Sequence, residues 1–131
     1  MIRILLADDF TIIRKGVRQI LTQAYPTAQI EEVEEGEEWT DKLRDCSWDM
    51  VISDQPRPGG GGYHALQRIR EDFPALPVLI LSLYSKDYNA FRALQAGASG
   101  YLGKDAAPDE LLSAVRQILA GKKYIAVPKD N

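Results

Sequence analysis

Residues 2–9, Ile-Arg-Ile-Leu-Leu-Ala-Asp-Asp, form a short aliphatic run that ends in two adjacent carboxylates. Apart from Arg3 the run is apolar, which is typical of a strand buried on both faces of a parallel sheet. The segment that follows, Ile12–Ala24, has apolar residues at helical spacing, with Thr11 as its expected N-cap. This order predicts the first strand–helix unit of an α/β fold.

The same alternation of aliphatic runs and helical periods continues along the chain. The expected strands are Ile2–Ala7, Ala28–Val33, Met50–Ser53, Val78–Leu81 and Ser99–Leu102, and the expected helices are Ile12–Ala24, Glu37–Arg44, Tyr63–Phe73, Tyr88–Ala96 and Asp109–Ala120. Because crossovers between parallel strands are right-handed, five strands alternating with five helices favour a doubly wound sheet with helices on both faces.

The composition restricts the class of protein. A chain of 131 residues with 45% hydrophobic residues is the size of one domain with its own core. The single cysteine, Cys46, cannot form an internal disulfide, which favours a reducing compartment. The net charge of −3 argues against direct binding of nucleic acid, and no apolar run approaches the roughly 20 residues that span a membrane. We therefore expect a soluble cytoplasmic protein that makes no membrane contact.

Polar residues follow the predicted strands at the points where they end. Asp8 and Asp9 follow the first strand, Asp54 the third, Ser82 the fourth and Lys104 the fifth. Ligands of doubly wound sheets bind beyond the carboxyl ends of the strands, so these side chains are expected to meet. Three carboxylates, a hydroxyl and an ammonium indicate a site for Mg²⁺ and a phosphoryl group, because the cation offsets the repulsion between the acids.

Four stretches, in this order, resemble the receiver domain of bacterial two-component response regulators. They are ILLADD at 4–9, VISDQPRPG at 51–59 with Gly62, LILS at 79–82 and GYLGKD at 100–105. AGASGYL at 96–102 further resembles the LuxR/NarL/FixJ-type subgroup. The resemblance implies a flavodoxin-like, five-stranded parallel sheet of order 2-1-3-4-5, with five helices on two faces. It also implies a receiver domain over residues 1–121 and, over 122–131, the start of a linker to an output domain absent from this chain.

The resemblance assigns a phosphoacceptor and a metal site. Asp54 would take a phosphoryl group from a phosphohistidine of a sensor histidine kinase. Mg²⁺ would be bound directly by Asp9, Asp54 and the backbone carbonyl of Pro56, and through water by Asp8. Proline is tolerable at position 56 because only its carbonyl is needed.

The remaining roles implied by the resemblance concern catalysis and output. Lys104 and Ser82 would contact phosphoryl oxygens, and Ser82 with Tyr101 would form the switch that responds to phosphorylation. The domain would catalyse only its own phosphorylation and autodephosphorylation, and would otherwise not be an enzyme. It would form a homodimer on activation and control transcription through a helix-turn-helix output domain, which alone would contact DNA.

The sequence departs from the family beside the phosphoacceptor. Gln55 replaces an aliphatic residue, Arg57 stands where methionine is common, and four glycines occupy Gly59–Gly62. Since a guanidinium can pair with the acids and compete with the metal, we expect weaker Mg²⁺ affinity than in a typical receiver. The same departures leave open an alternative function, a phosphorylation-independent receiver for dimerisation or docking. An aspartyl phosphatase is disfavoured, because Pro56 stands where a second acid would be required.

Two further features have structural interpretations. Six glutamates between Glu31 and Glu38 are expected to form a solvated face, since charge runs are usually exposed. His64, the only histidine, is expected at an exposed helix start and has no partner histidines for a metal site.

Overall fold

The computed structural model describes residues 1–8, 10–33, 41–45, 47–54, 64–82 and 92–125, with the side chains of residues 54, 64, 65 and 125 left out. Its strands are β1 (Arg3–Ala7), β2 (Gln29–Val33), β3 (Met50–Asp54), β4 (Val78–Ser82), β5 (Gly100–Gly103) and β6 (Tyr124–Ile125). The helices with described bounds are α1 (Thr11–Ala24), α2 (His64–Asp72) and α3 (Pro108–Leu119).

The strands form a parallel sheet in the order β2-β1-β3-β4-β5-β6. The predicted fold and the order 2-1-3-4-5 are confirmed, and the predicted strand bounds differ by one residue at most at each end. Residues 41–42 and 92–95 are helical, within two of the predicted helices, whereas residues 37–40 and 88–91 lie outside the described part. His64 is the first residue of α2, which confirms its predicted place at the start of a helix.

Alternating residues of the strands build a core on each face of the sheet. One face packs Ile4, Leu6, Ile52, Leu79, Leu81 and Leu102 against residues of α1 and α3. The opposite face packs Leu5, Val51, Val78, Ile80 and Tyr101 against Leu66 and Ile69 of α2. Both sides of the central strands are therefore removed from water, which explains why their sequences are continuous apolar runs.

The start of α1 differs from the prediction. Phe10 occupies the N-cap position without a side-chain cap, and Thr11 is the first helical residue, so the predicted role of Thr11 is wrong. The backbone N–H of Phe10 instead donates to Oδ1 of Asp8 at 2.8 Å. A carboxylate two residues upstream thus satisfies an amide at the beginning of the helix, as in an Asx turn.

Glu32 on β2 contradicts the prediction of a uniformly solvated glutamate face. Its side chain is 9% exposed and accepts hydrogen bonds from Arg14 at 2.9 Å, Lys15 at 3.0 Å and Arg18 at 2.8 Å. Burial alone would raise its pKa, but the bonds from Arg18, Lys15 and Arg14 lower it to about 2. Glu31, on the other side of the strand, is half exposed as expected.

The sixth strand depends on a glycine in β5. Tyr124 and Ile125, in the segment expected to begin a linker, pair with Gly100 and Tyr101. A Cβ atom at Gly100 would lie 2.7 Å from Cδ1 of Ile118 and 2.8 Å from the backbone oxygen of Tyr124. The close approach of α3 and β6 to β5 therefore requires the absence of a side chain at this position.

We expect Gly100→Ala to lower the free energy of unfolding by about 1–3 kcal/mol, because α3 and β6 must move to admit the methyl group. Gly16→Ala is the control, since Gly16 lies in α1 and a methyl group added there would have nothing within 4 Å. It should raise stability by about 0.5–1 kcal/mol. Urea denaturation of both variants measures the difference, and equal stability of Gly100→Ala and the unaltered protein would contradict the packing argument.

The lowered pKa of Glu32 predicts a pH dependence of stability. Because the folded-state pKa, about 2, lies below the ordinary value of 4.5, the contribution is complete above pH 4.5 and is lost as the pH falls towards 2. Glu32→Gln should therefore cost about 2 kcal/mol at pH 7 and progressively less below pH 4.5. Denaturant titrations at a series of pH values test this, and a cost that does not change with pH would refute it.

Candidate functional site

Four neighbouring strands end at one edge of the sheet. In the register Ala7 is opposite Ser53, Asp54 is opposite Leu81, and Ser82 is opposite Gly103. The residues that end or follow β1, β3, β4 and β5 are therefore brought to the same place, as the sequence predicted.

A buried ion pair joins the two flanks of this edge. Nζ of Lys104, which follows β5, lies 3.1 Å from Oδ1 of Asp8, which follows β1. The two side chains are 1% and 5% exposed, although β3 and β4 lie between their strands. Removing both charges from water is costly, so each group depends on the other for compensation.

The Asp8 carboxylate is satisfied on one oxygen and not on the other. Oδ1 accepts hydrogen bonds from Lys104 and from the N–H of Phe10. Oδ2 is buried and has no hydrogen-bond partner among the described residues. A buried carboxylate oxygen without a donor is costly, and a hydrated hard cation would satisfy it. The Asp8 carboxylate therefore fits a contact with hydrated Mg²⁺.

Phe10 covers the Lys104 ammonium, and the sequence interpretation did not single it out. Nζ lies 4.2 Å from the centre of the Phe10 ring, within the range of a cation–π interaction. The residue is 43% exposed, so Phe10 contacts the charge while it remains partly in solvent. Its position directly after Asp8 and Asp9 was the signal in the sequence that could have placed it at the site.

Arg14 was also missed, although it contacts the site. It is 6% exposed, and its Nη1 donates to the backbone oxygen of Asp8 at 2.6 Å. The signal was its place in α1, three residues before Val17 and seven before Leu21, both of which are buried. An arginine on the apolar face of a helix needs acceptors in the interior, and among the described residues Asp8 and Glu32 supply them.

Ser82 and Tyr101, the predicted switch residues, are each 1% exposed. The backbone oxygen of Ser82 accepts the N–H of Lys104 at 2.7 Å, which ties the end of β4 to the residue after β5. Tyr101 packs in the same core cluster as Leu5 and Ile80. Core packing of Tyr101 is thus established, and its role as a switch stays a prediction.

The other predicted site residues are described only in part. Asp54 is the last residue of β3, placed by its backbone alone. Asp9, Gln55, Pro56, Arg57 and the run Gly59–Gly62 lie outside the described residues. Within the described part, no three His, Cys, Asp or Glu side chains gather as a metal site, and no helix there is long and apolar enough to cross a membrane.

Comparison with known proteins agrees with this geometry. The response regulator receiver domain family matches residues 4–116. The response regulator UvrY of Escherichia coli (strain K12) is 35% identical over 126 residues, which are 96% of this chain and 58% of UvrY. The response regulator GacA of Pseudomonas protegens is 34% identical, again over 96% of this chain and 59% of that protein.

A solved structure shares both fold and sequence. A LuxR-family two-component response regulator from Aurantimonas sp. SI85-9A1 is 36% identical, with a TM-score of 0.82 over 93% of this chain and 87% of that one. The chain spans somewhat more than half the length of the curated relatives it matches. Since the family match covers most of the sequence, the chain belongs to the response regulator receiver domain family.

Proposed function

We propose that this chain is a phosphorylation-dependent switch in which Asp54 accepts a phosphoryl group from a phosphohistidine of a sensor histidine kinase. The observation that carries the proposal is the buried Lys104–Asp8 pair, at the edge where β3 ends in Asp54. Asp54 ends its strand at the same edge of the sheet as this cation and Asp8, and that combination of residue types supports a phosphoacceptor rather than a structural core.

The proposed metal site combines Asp9, Asp54 and the backbone carbonyl of Pro56 as direct Mg²⁺ ligands, with Asp8 bound through water. When bound, the ion neutralises the carboxylates and polarises phosphoryl oxygens. The buried Oδ2 of Asp8, which has no partner among the described residues, supports this assignment. The expected weakening of Mg²⁺ affinity by Arg57 and the four glycines stays part of the proposal.

The chain itself supplies position and charge. In the transfer, a P–O bond forms to Asp54 as the P–N bond of the phosphohistidine breaks, and the electron pair of that bond stays on the imidazole nitrogen. Lys104 would pair with a phosphoryl oxygen while Asp8 holds its ammonium at the site, and Ser82 would donate a hydrogen bond to another oxygen. Positioning and charge stabilisation suffice for phosphoryl transfer, so self-catalysed phosphorylation and autodephosphorylation need no further catalytic group.

Phosphorylation would change the charge at the end of β3. The group adds about one negative charge and three acceptor oxygens to the site. Ser82 would be drawn towards it, and Tyr101, opposite Ile80 in the register, would adjust its packing on the neighbouring strand. A two-state equilibrium of the domain would then shift towards the signalling form.

The output is inferred from the relatives. UvrY and GacA are named response regulators, and the Aurantimonas protein belongs to the LuxR family. By analogy the complete protein would carry a helix-turn-helix domain after the linker, form a homodimer on activation and regulate transcription. These relatives do not favour the alternative of a docking module independent of phosphorylation.

Incubation with acetyl phosphate and Mg²⁺ should add one phosphoryl group, measured by intact-protein mass spectrometry. Asp54→Asn should abolish the addition, because the amide is not a nucleophile. Asp72→Asn is the control, since Asp72 is a half-exposed carboxylate at the end of α2. A mass gain that persists in Asp54→Asn, or none in the unaltered protein, would defeat the proposal.

Lys104→Met should slow phosphorylation by about 100-fold or more, because the cation that stabilises the transferring group is gone. It should also destabilise the fold by about 3–5 kcal/mol, since Asp8 is left as an uncompensated buried charge. Adding Asp8→Asn should restore much of the stability but none of the rate. Parallel recovery of rate and stability in the double variant would show that Lys104 acts only as a structural ion pair.

A further inference from the structure

The side chain of Arg14 bonds the backbone of Asp8, directly after β1. Its side-chain Nη1 donates to the backbone oxygen of Asp8 at 2.6 Å. Its own backbone N–H donates to the backbone oxygen of Phe10 at 2.9 Å. The second bond is the first i→i−4 bond of α1, which any residue at this position would make, so only the side-chain bond to Asp8 depends on the arginine.

The bond to the Asp8 carbonyl has a consequence that follows from covalent connectivity. This carbonyl belongs to the peptide unit that joins Asp8 to Asp9. A peptide unit is planar, so a hydrogen bond to its oxygen restrains the whole plane and with it the torsion about the Cα–C bond of Asp8. The direction in which the Asp8 carboxylate leaves the main chain is thereby linked to the position of one guanidinium.

The guanidinium is itself fixed from the opposite side. Nε of Arg14 donates to Oε1 of Glu32 at 2.9 Å, and both side chains are under 10% exposed. A planar guanidinium that donates to two acceptors cannot rotate without breaking one of the bonds. The carboxylate also compensates the positive charge that would otherwise oppose a cation near Asp8.

We propose that Arg14 is a positioning residue for the Mg²⁺ site: held by Glu32, it fixes the backbone carbonyl of Asp8 and so orients the Asp8 carboxylate, whose buried Oδ2 has no partner among the described residues. This inference rests on the proposed function and names a determinant of metal affinity. Partners behind metal ligands commonly control affinity by 10- to 100-fold, although they never touch the metal.

Arg14→Lys separates geometry from charge. Lysine keeps the positive charge and the aliphatic stem, but its single ammonium cannot reproduce the fixed two-pronged geometry. Arg18→Lys is the matched control: Arg18 also bonds Glu32, at 2.8 Å, and its only described acceptor is that carboxylate. Both substitutions thus change an arginine that bonds Glu32, but only Arg14 also bonds Asp8.

The first measurement is isothermal titration with MgCl₂ in the absence of any phosphodonor. We expect Arg14→Lys to weaken Mg²⁺ binding about 10-fold or more, and Arg18→Lys to change it by less than about twofold. Equal weakening by both substitutions would overturn the proposal, because Arg14 would then act only through the Glu32 cluster. Unchanged affinity in a folded Arg14→Lys would overturn it as well.

The second measurement is the Mg²⁺ dependence of phosphorylation by acetyl phosphate. If Arg14 positions Asp8, the rate of phosphorylation of Arg14→Lys should be low at Mg²⁺ concentrations that saturate the unaltered protein and should recover at higher concentrations. A merely structural defect would lower the rate at every concentration without moving the half-saturation point, and that result would refute the positioning role.

Two controls keep the test decisive. If Arg14→Lys does not fold, Glu32→Gln retains Arg14 but removes the charge that holds it, and a folded Glu32→Gln with unchanged Mg²⁺ affinity would overturn the proposal. Failure of the unaltered protein to bind Mg²⁺ or accept a phosphoryl group would defeat the proposed function, and this inference with it. Normal binding and phosphorylation by Arg14→Lys would defeat this inference alone.

Discussion

The buried pair between Lys104 and Asp8 constrains the rest of the structure. The two groups belong to segments that follow β5 and β1, and β3 and β4 lie between these strands. Their contact is possible only if four strands end at the same height. A slip of one residue in any of the three intervening ladders would move one partner by about 3.3 Å and turn a strand's side chains to the wrong face. The apolar cores on both faces, which select the register, therefore also assemble the charged edge.

This dependence explains what the sequence could predict. Met50–Ile52 and Val78–Leu81 are apolar throughout because both faces are buried, so the presence of strands there follows from composition, with ends that differ by one residue from those observed. Once parallel strands are assumed, the residues after them must share an edge, and Ser82 and Lys104 were found in this way. Periodicity does not determine which strands are neighbours, so the order 2-1-3-4-5 came from the resemblance of motifs.

The residues that sequence analysis missed depend on packing between distant segments. Glu32 lies in a run of acids, and nothing local shows that it faces α1 while Glu31 is half exposed. Three cations of α1 surround Glu32 only because α1 packs across β1 and β2. β6 is two residues long, too short for any pattern, and is defined by its pairing with β5. Phe10 and Arg14 acquire their roles from partners that the tertiary fold alone supplies.

The buried Asp8 carboxylate lies at the edge where β3 ends in Asp54, and its charge is balanced by cations from other elements. Lys104 compensates Asp8 from one side, while Arg14 bonds the Asp8 backbone and is itself compensated by Glu32. A phosphoryl group on Asp54 would attract Lys104 and thus compete with Asp8 for the same ammonium. The backbone N–H of Lys104 is bonded to the backbone oxygen of Ser82, and Tyr101 lies in β5, which pairs with β6. A shift of the Lys104 ammonium would therefore act on backbone that is already connected to both predicted switch residues. The interaction that holds the resting site together is thus the one that phosphorylation would change.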